Sequence, residues 1–93
     1  WYRRAQALRF EIQEYDEDHS TEISEPDTNA GGGYINAYLD DQYVGGGTFS
    51  YHSGVPILET IGVDNPLNGV GGQMVRYLLK YWNDHGMDHS EFG

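Results

Sequence analysis

Three glycines stand at the start of a helix-like run: Gly69, Gly71 and Gly72 lie within NPLNGVGGQMVRYLL, residues 65–79. A glycine inside a helix costs about 1 kcal/mol relative to alanine. The first turn of a helix exposes unpaired N–H groups and the positive end of the helix dipole, and glycines let a ligand approach these groups closely. The pattern therefore predicts a phosphate or pyrophosphate site. The alternative is a connection whose glycines pack against the sheet.

Two common phosphate-binding motifs fit this stretch poorly. A P-loop requires lysine followed by serine or threonine, and neither residue type comes directly after Gly69. Gly69-Val70-Gly71 matches the first half of the G-x-G-x-x-G dinucleotide fingerprint, but Met74 occupies the place of the third glycine. The runs before it also read as hairpins rather than as a βαβ unit, which disfavours a dinucleotide-binding domain.

Other chemistry has weaker support in the sequence. His85 and His89 are four residues apart with Asp84 and Asp88 beside them, but Gly86 interrupts the helix and no third ligand is obvious, so we predict no metal site. The absence of cysteine excludes disulfides, thiolate zinc sites and thiol catalysis. The chain also has no G-x-S-x-G motif, which argues against a serine hydrolase.

The charge of the chain is strongly acidic. Fifteen acidic residues face five basic ones, the formal net charge is −10, and Lys80 is the only lysine. Nucleic acid and anionic membranes should repel such a chain, so we expect neither as a partner. The scarcity of lysine favours a salt-adapted (halophilic) protein, because salt screens the self-repulsion of an acidic surface. The alternative is an ordinary acidic protein.

The length of 93 residues suits one small domain, residues 1–93. No apolar run approaches the roughly 18 residues that would cross a membrane. The start, Trp1-Tyr2-Arg3-Arg4, leads into a polar pattern rather than into the apolar stretch of a signal peptide. We therefore expect a cytoplasmic protein.

The first third of the chain is predicted to hold a helix and a loop. Residues 1–15 are predicted to be helical because their apolar members recur every three or four positions. A strand is the competing interpretation, since Leu8, Phe10 and Ile12 alternate with polar residues. Residues 16–33, with six acids, one proline and three glycines, are predicted to be an acidic mobile loop.

The remainder predicts an antiparallel sheet followed by a helix. Residues 34–64 alternate in polarity and are predicted to form three antiparallel strands, at 34–40, 42–52 and 55–64. Gly62 suggests a bulge or the close approach of another backbone. Residues 65–86 are predicted to be the glycine turn and a helix ending at Gly86, and 87–93 a possible further strand. The predicted class is α+β, with an antiparallel sheet of three to four strands.

The segment ILETIGVDNPLNGVGGQMVRYLLKYWNDHGM, residues 57–87, resembles the central motif of the GNAT acyl-CoA N-acyltransferase superfamily. That motif runs from a strand ending in valine through Gln/Arg-x-x-Gly-x-Gly/Ala into a long helix, then to glycine and the next strand. Residues 66–71 occupy the six motif positions, with Pro66 in place of the usual Gln or Arg. The hairpin YINAYLDDQYVGGGTF, residues 34–49, looks like the second and third strands of the family. Helix 1–15 resembles the family's first helix.

The resemblance implies a site for acetyl-CoA as co-substrate. Its pyrophosphate would lie on the backbone amides of residues 68–72, and its pantetheine arm would follow the end of the third strand. The acyl group would point between the third strand and the possible fourth. The residues implied to bind the coenzyme are Ile61, Gly62, Val63, Asn68, Gly69, Val70, Gly71 and Gly72.

The resemblance also implies acid–base residues. Glu59 lies four residues before Val63, where the family often keeps a carboxylate, and partial burial would make it a better base for removing a proton from an amine. His52 is a second candidate base. Tyr81 is the predicted acid, with Tyr51 as the alternative.

Two functions remain open on these grounds. The first is an N-acetyltransferase that transfers an acetyl group from acetyl-CoA to a small-molecule or peptide amine, as a possible homodimer or larger assembly. The second is a non-catalytic GNAT-like module that forms a structural or binding part of a larger assembly. Pro66 favours the second, as does the expected absence of the family's first strand and of its elements after the fifth strand.

Overall fold

The structure is a computed structural model that describes residues 7–64, 69–87 and 91–92. The described residues form an α+β fold, in which a six-stranded sheet carries one helix against one face. The sheet order is β2-β1-β3-β4-β5-β6, and only the β5–β6 pair is parallel. In chain order the elements are β1 (Leu8–Tyr15), β2 (Glu22–Ile23), β3 (Gly32–Leu39), β4 (Gln42–His52), β5 (Val55–Val63), α1 (Val70–Asp84) and β6 (Glu91–Phe92).

The two tight hairpins β3–β4 and β4–β5 confirm the three predicted antiparallel strands. Leu39 pairs with Gln42, and the two residues between them, Asp40 and Asp41, have φ values of 50° and 69°. Ser53 and Gly54 likewise have φ values of 53° and 83° in the second turn. Positive φ at both central residues is the geometry whose twist matches that of the flanking strands. Short aspartate and serine side chains tolerate this left-handed backbone better than bulky ones.

The hydrophobic core lies between α1 and one face of the sheet. Every fourth residue of α1 is buried, which places a single stripe of the helix over the strands. The fully buried side chains include Phe49 and Tyr51 from β4 and Trp82 from α1. No helix among the described residues has the length and apolar content needed to cross a membrane. The buried apolar residues are Ile35, Ala37, Phe49, Tyr51, Leu58, Val70, Met74, Leu78, Trp82 and Met87.

The predicted end of the helix is confirmed at Gly86. This glycine has a φ of 80°, and its N–H donates to the Asn83 carbonyl at 3.0 Å. The N–H of Met87 donates to the Trp82 carbonyl at 2.9 Å, so two carbonyls of the last turn find partners just beyond the helix. A left-handed residue at this position is usually glycine because it lacks the Cβ clash.

The prediction of a helix over residues 1–15 is wrong for residues 8–15, which form strand β1; residues 1–6 lie outside the described residues. β1 pairs with β3 along its full length, from Leu8 opposite Leu39 to Tyr15 opposite Gly32. This pairing outweighs the local helix propensity, which is worth only tenths of a kcal/mol per residue. The segment predicted as an acidic loop, 16–33, also contains β2 and the first two residues of β3.

A bulge lies in β5 at Glu59 and not at Gly62, where one was suggested. Thr48 pairs with Thr60 and Phe49 with Leu58, so Glu59 is an extra residue in β5. Gly62 pairs regularly with Gly46, and a Cβ added to it would meet nothing within 4 Å. Because strand side chains alternate, the extra residue turns both Glu59 and Thr60 toward the face of the sheet away from α1.

Two glycine substitutions test the packing of this sheet. Gly33→Ala should destabilise the protein by about 2 kcal/mol or more, because the new Cβ would overlap the Gln13 carbonyl oxygen. Gly72→Ala should stabilise it by about 0.5–1 kcal/mol, because that position is helical and surrounded by open space. Urea unfolding of the two variants measures both changes, and equal effects would contradict the described packing.

Candidate functional site

The first turn of α1 presents its backbone N–H groups without a side-chain cap. Gly69 occupies the N-cap position with φ 71° and ψ 14°, a left-handed conformation that glycine adopts without strain. No side chain of the described residues caps this end, and the first turn contains no acidic residue. Among the described residues no side chain neutralises the positive end of the helix dipole, so this end can accept an external anion.

The glycines around this helix start have no packing role. A Cβ built at Gly62, Gly69 or Gly72 would meet nothing within 4 Å. In the sheet the opposite holds: at Gly45 and Gly47 an added Cβ would come within 2.7 Å of a backbone oxygen. The alternative that the glycines pack against the sheet is therefore contradicted for Gly69 and Gly72.

The structure brings the end of β5 and the start of α1 together. A Cβ at Gly71 would lie 3.9 Å from Cγ1 of Val63, which is ordinary van der Waals contact. Val70 is buried in the core and fixes this end of the helix, while Gly69 and Gly72 remain exposed. Two of the predicted coenzyme-binding segments, 61–63 and 69–72, are thus neighbours. Asn68 lies outside the described residues.

Among the described residues, β5 has an unpaired edge at 59–63 on the side away from β4. The parallel partner β6 pairs with Ile57 and Leu58 alone, and among the described residues no strand pairs with 59–63 on that side. Ile61 is 43% exposed on this edge. Unpaired N–H and C=O groups on a strand edge can hydrogen-bond an extended ligand.

Glu59 is exposed rather than partly buried, which corrects the predicted environment of this base. It lines a shallow groove of about 240 Å³ on the face of the sheet away from α1, together with Tyr34 and Thr48 among others. Beside Glu59, the hydroxyl groups of Thr48 and Thr60 form a hydrogen bond of 2.6 Å. The other candidate base, His52, is exposed at the end of β4, 3.5 Å from the Ser50 hydroxyl.

The two predicted acids lie on the other side of the sheet, where they meet a residue that the sequence interpretation missed. Tyr81 donates to Oε2 of Glu14 at 2.7 Å, and Tyr51 donates to the same oxygen at 2.6 Å. Glu14 is 4% exposed, and its Oε1 has no partner among the described residues. The structure does not bring Tyr81 or Tyr51 to Glu59.

Burial controls the proton equilibria of this cluster. Removal from water raises the pKa of Glu14 above its ordinary value, and the two tyrosine hydrogen bonds and the nearby His85 offset part of this rise. Burial and then the Glu14 carboxylate raise the pKa of Tyr51 and of Tyr81 well above the ordinary range of a phenol. Both tyrosines therefore stay protonated, and Glu14 is the group of this cluster that changes charge.

A strand pattern would have revealed Glu14. Leu8, Phe10, Ile12 and Glu14 are spaced by two, and the first three pack against the core below α1. A carboxylate in fourth place on that face must be buried with hydrogen-bond donors. The helical interpretation assigned the same residues to different faces and hid this signal.

The described residues hold no group of three metal-ligating side chains. Nδ1 of His85 lies 2.8 Å from the Tyr81 carbonyl, and the imidazole packs 4.4 Å from the Tyr81 ring. His89 and Asp88, the other half of the metal-like spacing, lie outside the described residues.

The raised pKa of Glu14 predicts how stability depends on pH. As pH rises past the ordinary value of 4.5, the unfolded chain loses this proton before the folded chain does. The contribution of Glu14 to stability is therefore present below pH 4.5 and is lost as pH rises toward its folded pKa. Glu14→Gln, which does not ionise, should gain stability relative to the native protein over that interval.

Urea unfolding across a pH series measures this difference. Glu17→Gln, at an exposed position in the loop after β1, is the matched control and should leave the profile unchanged. Parallel profiles for Glu14→Gln and the native protein would contradict a buried, proton-holding Glu14.

The chain was compared with known proteins on three levels. No family model, no curated protein and no solved structure matches it. The GNAT resemblance of residues 57–87 therefore remains a prediction that rests on the sequence motif, to be weighed with the geometry of the site.

Proposed function

We propose that the protein is an acetyl-CoA-dependent N-acetyltransferase with a GNAT-like fold. The observation that carries the proposal is the glycine-rich start of α1 beside the end of β5, which no side chain of the described residues caps. Gly62, Gly69 and Gly72 border open space there, and a side chain at Gly71 would make only an ordinary contact with Val63. Gly71 and Gly72 weaken the helix, although packing requires neither of them. A pyrophosphate on the amides of the first turn would use both the bare backbone and the helix dipole.

The order of the elements supports the same proposal. β3, β4 and β5 form the antiparallel run that the resemblance requires, α1 follows, and β6 returns parallel to β5. The family's first strand was expected to be absent, but β1 pairs antiparallel with β3 and can take its place. The pantetheine arm would then bond to the free edge of β5 at residues 61–63.

Glu59 is the base in this proposal. It stands where the pairing of β5 with β6 ends, close to the place implied for the acyl group. Its carboxylate takes a proton from the acceptor ammonium, directly or through water, and the amine nitrogen attacks the thioester carbonyl. A C–N bond forms, the nitrogen releases its second proton to solvent, the C–S bond breaks, and the departing thiolate takes up a proton from solvent.

The source of that last proton is not Tyr81 in this scheme. Tyr81 is bonded to Glu14 on the opposite side of the sheet from Glu59, and its high pKa makes it a poor donor. A thiol has an ordinary pKa of about 8.5, so its thiolate can leave and be protonated by water without a strong acid.

The same separation of Tyr81 and Tyr51 from Glu59 favours a second candidate, the non-catalytic GNAT-like module. In this case the site would bind coenzyme without turnover. A cytoplasmic location, a peptide as the acceptor and a homodimer or larger assembly remain predictions under either candidate.

Calorimetric titration with acetyl-CoA, at low and at high salt, tests the coenzyme site. We expect binding that strengthens with salt, because salt screens the repulsion between the anionic coenzyme and a chain of net charge −10. Gly71→Glu should weaken binding at least about 10-fold while leaving the helix stable, since a carboxylate is favourable at a helix start. Asn83→Glu adds the same charge at the exposed far end of α1 and is the control.

If native protein fails to bind acetyl-CoA at either salt concentration, the proposal is wrong. Equal weakening by Gly71→Glu and Asn83→Glu would show that overall charge, rather than the helix start, governs binding.

Release of free thiol across a panel of amines separates the two candidates. For an enzyme, Glu59→Gln should lower kcat by a factor of about 10²–10⁴, the usual contribution of a general base. Coenzyme binding should be unchanged in this variant, because the carboxylate faces the groove rather than the start of α1. Bound coenzyme with no thiol release from native protein would instead establish the non-catalytic module.

A further inference from the structure

The groove beside Glu59 has aromatic and acidic walls drawn from several strands. Tyr15 comes from β1, Tyr34 from β3, Thr48 from β4 and Glu59 from β5, and His19 borders it from the loop after β1. The Tyr15 and Tyr34 ring centroids are 5.8 Å apart with the rings tilted by 34°. The groove therefore has two neighbouring tyrosine rings and a carboxylate in its lining.

Sheet register explains why these side chains meet. Tyr34 pairs with Thr48, and Thr48 pairs with Thr60, so their side chains form one row across the outer face. Tyr15 is the diagonal neighbour of Tyr34, because Gln13 is the residue opposite Tyr34. At the β5 bulge Glu59 and Thr60 face the same side of the sheet, so the Glu59 carboxylate lies beside this row in the lining of the groove.

The other end of the same face already holds a cation in this manner. The Arg9 guanidinium lies 4.5 Å from the centroid of the Tyr38 ring. The same guanidinium pairs with the carboxylates of Glu11 and Asp41. A tyrosine face together with carboxylates is thus a cation-holding arrangement that this sheet uses internally.

The groove at Glu59 has the same components without the cation. Within the described part of the chain, none of the residues that line it is Lys or Arg. Its acidic character is extended by Glu22, which accepts a hydrogen bond from the Tyr15 hydroxyl at 3.5 Å. Hydrogen bonding with Tyr34 and the charge of Glu22 raise the pKa of Tyr15 to about 12, so its ring stays a neutral phenol.

We infer that this groove binds a small primary alkylammonium ion, with the cation over the Tyr15 and Tyr34 rings and Glu59 as its counter-ion. The volume of about 240 Å³ is below the roughly 300 Å³ at which pockets for drug-sized ligands begin. It suits a short alkylamine or the aminobutyl end of a lysine-like chain. The inference rests on the proposed function for its chemistry, since it names the acceptor class, but the binding can be measured without coenzyme.

Proton NMR titration of the native protein with butylammonium chloride tests the inference, with n-butanol as the neutral probe of similar size. The ring resonances of Tyr15 and Tyr34 should shift with butylammonium and not with n-butanol. Tyr34→Leu should weaken binding about 3- to 5-fold, the value of one exposed cation–π contact. The double variant Tyr15→Leu/Tyr34→Leu should weaken it at least about 10-fold, from two such contacts.

Glu59→Gln should weaken butylammonium binding by up to about 5-fold, as expected for one exposed ion pair. Tyr38→Leu removes a tyrosine from the far end of the same face and should change the affinity less than about 2-fold, since Tyr38 is well separated from the groove. Circular dichroism confirms that each variant is folded before its affinity is compared.

The results separate this inference from the proposed function. Butylammonium binding that depends on Tyr34 and Glu59, in a protein that does not bind acetyl-CoA, would support the cation site and overturn the acetyltransferase. Acetyl-CoA binding combined with equal shifts by butylammonium and n-butanol would overturn the cation site alone. Equal weakening by Tyr38→Leu and Tyr34→Leu would also overturn it.

Discussion

One buried carboxyl group holds the parts of this fold in register. Glu14 of β1 accepts hydrogen bonds from Tyr51 of β4 and Tyr81 of α1, so it ties the helix to two strands of the sheet. These bonds fix the last turns of α1 while Val70 anchors the first turn in the core. The position of the helix start beside Val63 therefore depends on a carboxylate at the other end of the helix. A buried acid with one oxygen unpartnered among the described residues is a costly way to make this link, because a buried polar group without a hydrogen bond is unfavourable.

The two faces of the sheet differ in composition and in role. The face under α1 is apolar apart from the Glu14 cluster, and the outer face carries tyrosines, threonines and charged groups. The residue after Leu58, Glu59, faces outward while Leu58 lies in the core, and the bulge at Glu59 places Thr60 on the outer face as well. Glu59 is thus shared between the edge proposed for the coenzyme and the groove inferred for the amine. A shift of the bulge by one residue would separate the two.

Local patterns predicted much of the central structure. Alternation and two-residue turns were sufficient for β3, β4 and β5, and the apolar stripe and Gly86 were sufficient for α1. They failed for β1, since Leu8 and Ile12 fit both the helical and the strand period. The partner strand also begins 17 residues after β1 ends. The Glu14 cluster was missed with it. Gly45 and Gly72 also look alike in the sequence, although one is required by a neighbouring backbone and the other faces open space.

The glycines of α1 have a consequence for motion. Gly71 and Gly72 make the first turn the least favourable part of the helix to keep ordered, and no side-chain cap of the described residues opposes its fraying. The last turns, held through Tyr81, open only with the core. The local stability of α1 therefore increases from its first turn to its last turns. An anion that binds to the first turn must order it, and the lost conformational entropy weakens the observed affinity. Because binding stabilises this turn, slower amide hydrogen exchange at the start of α1 would report that the anion is bound.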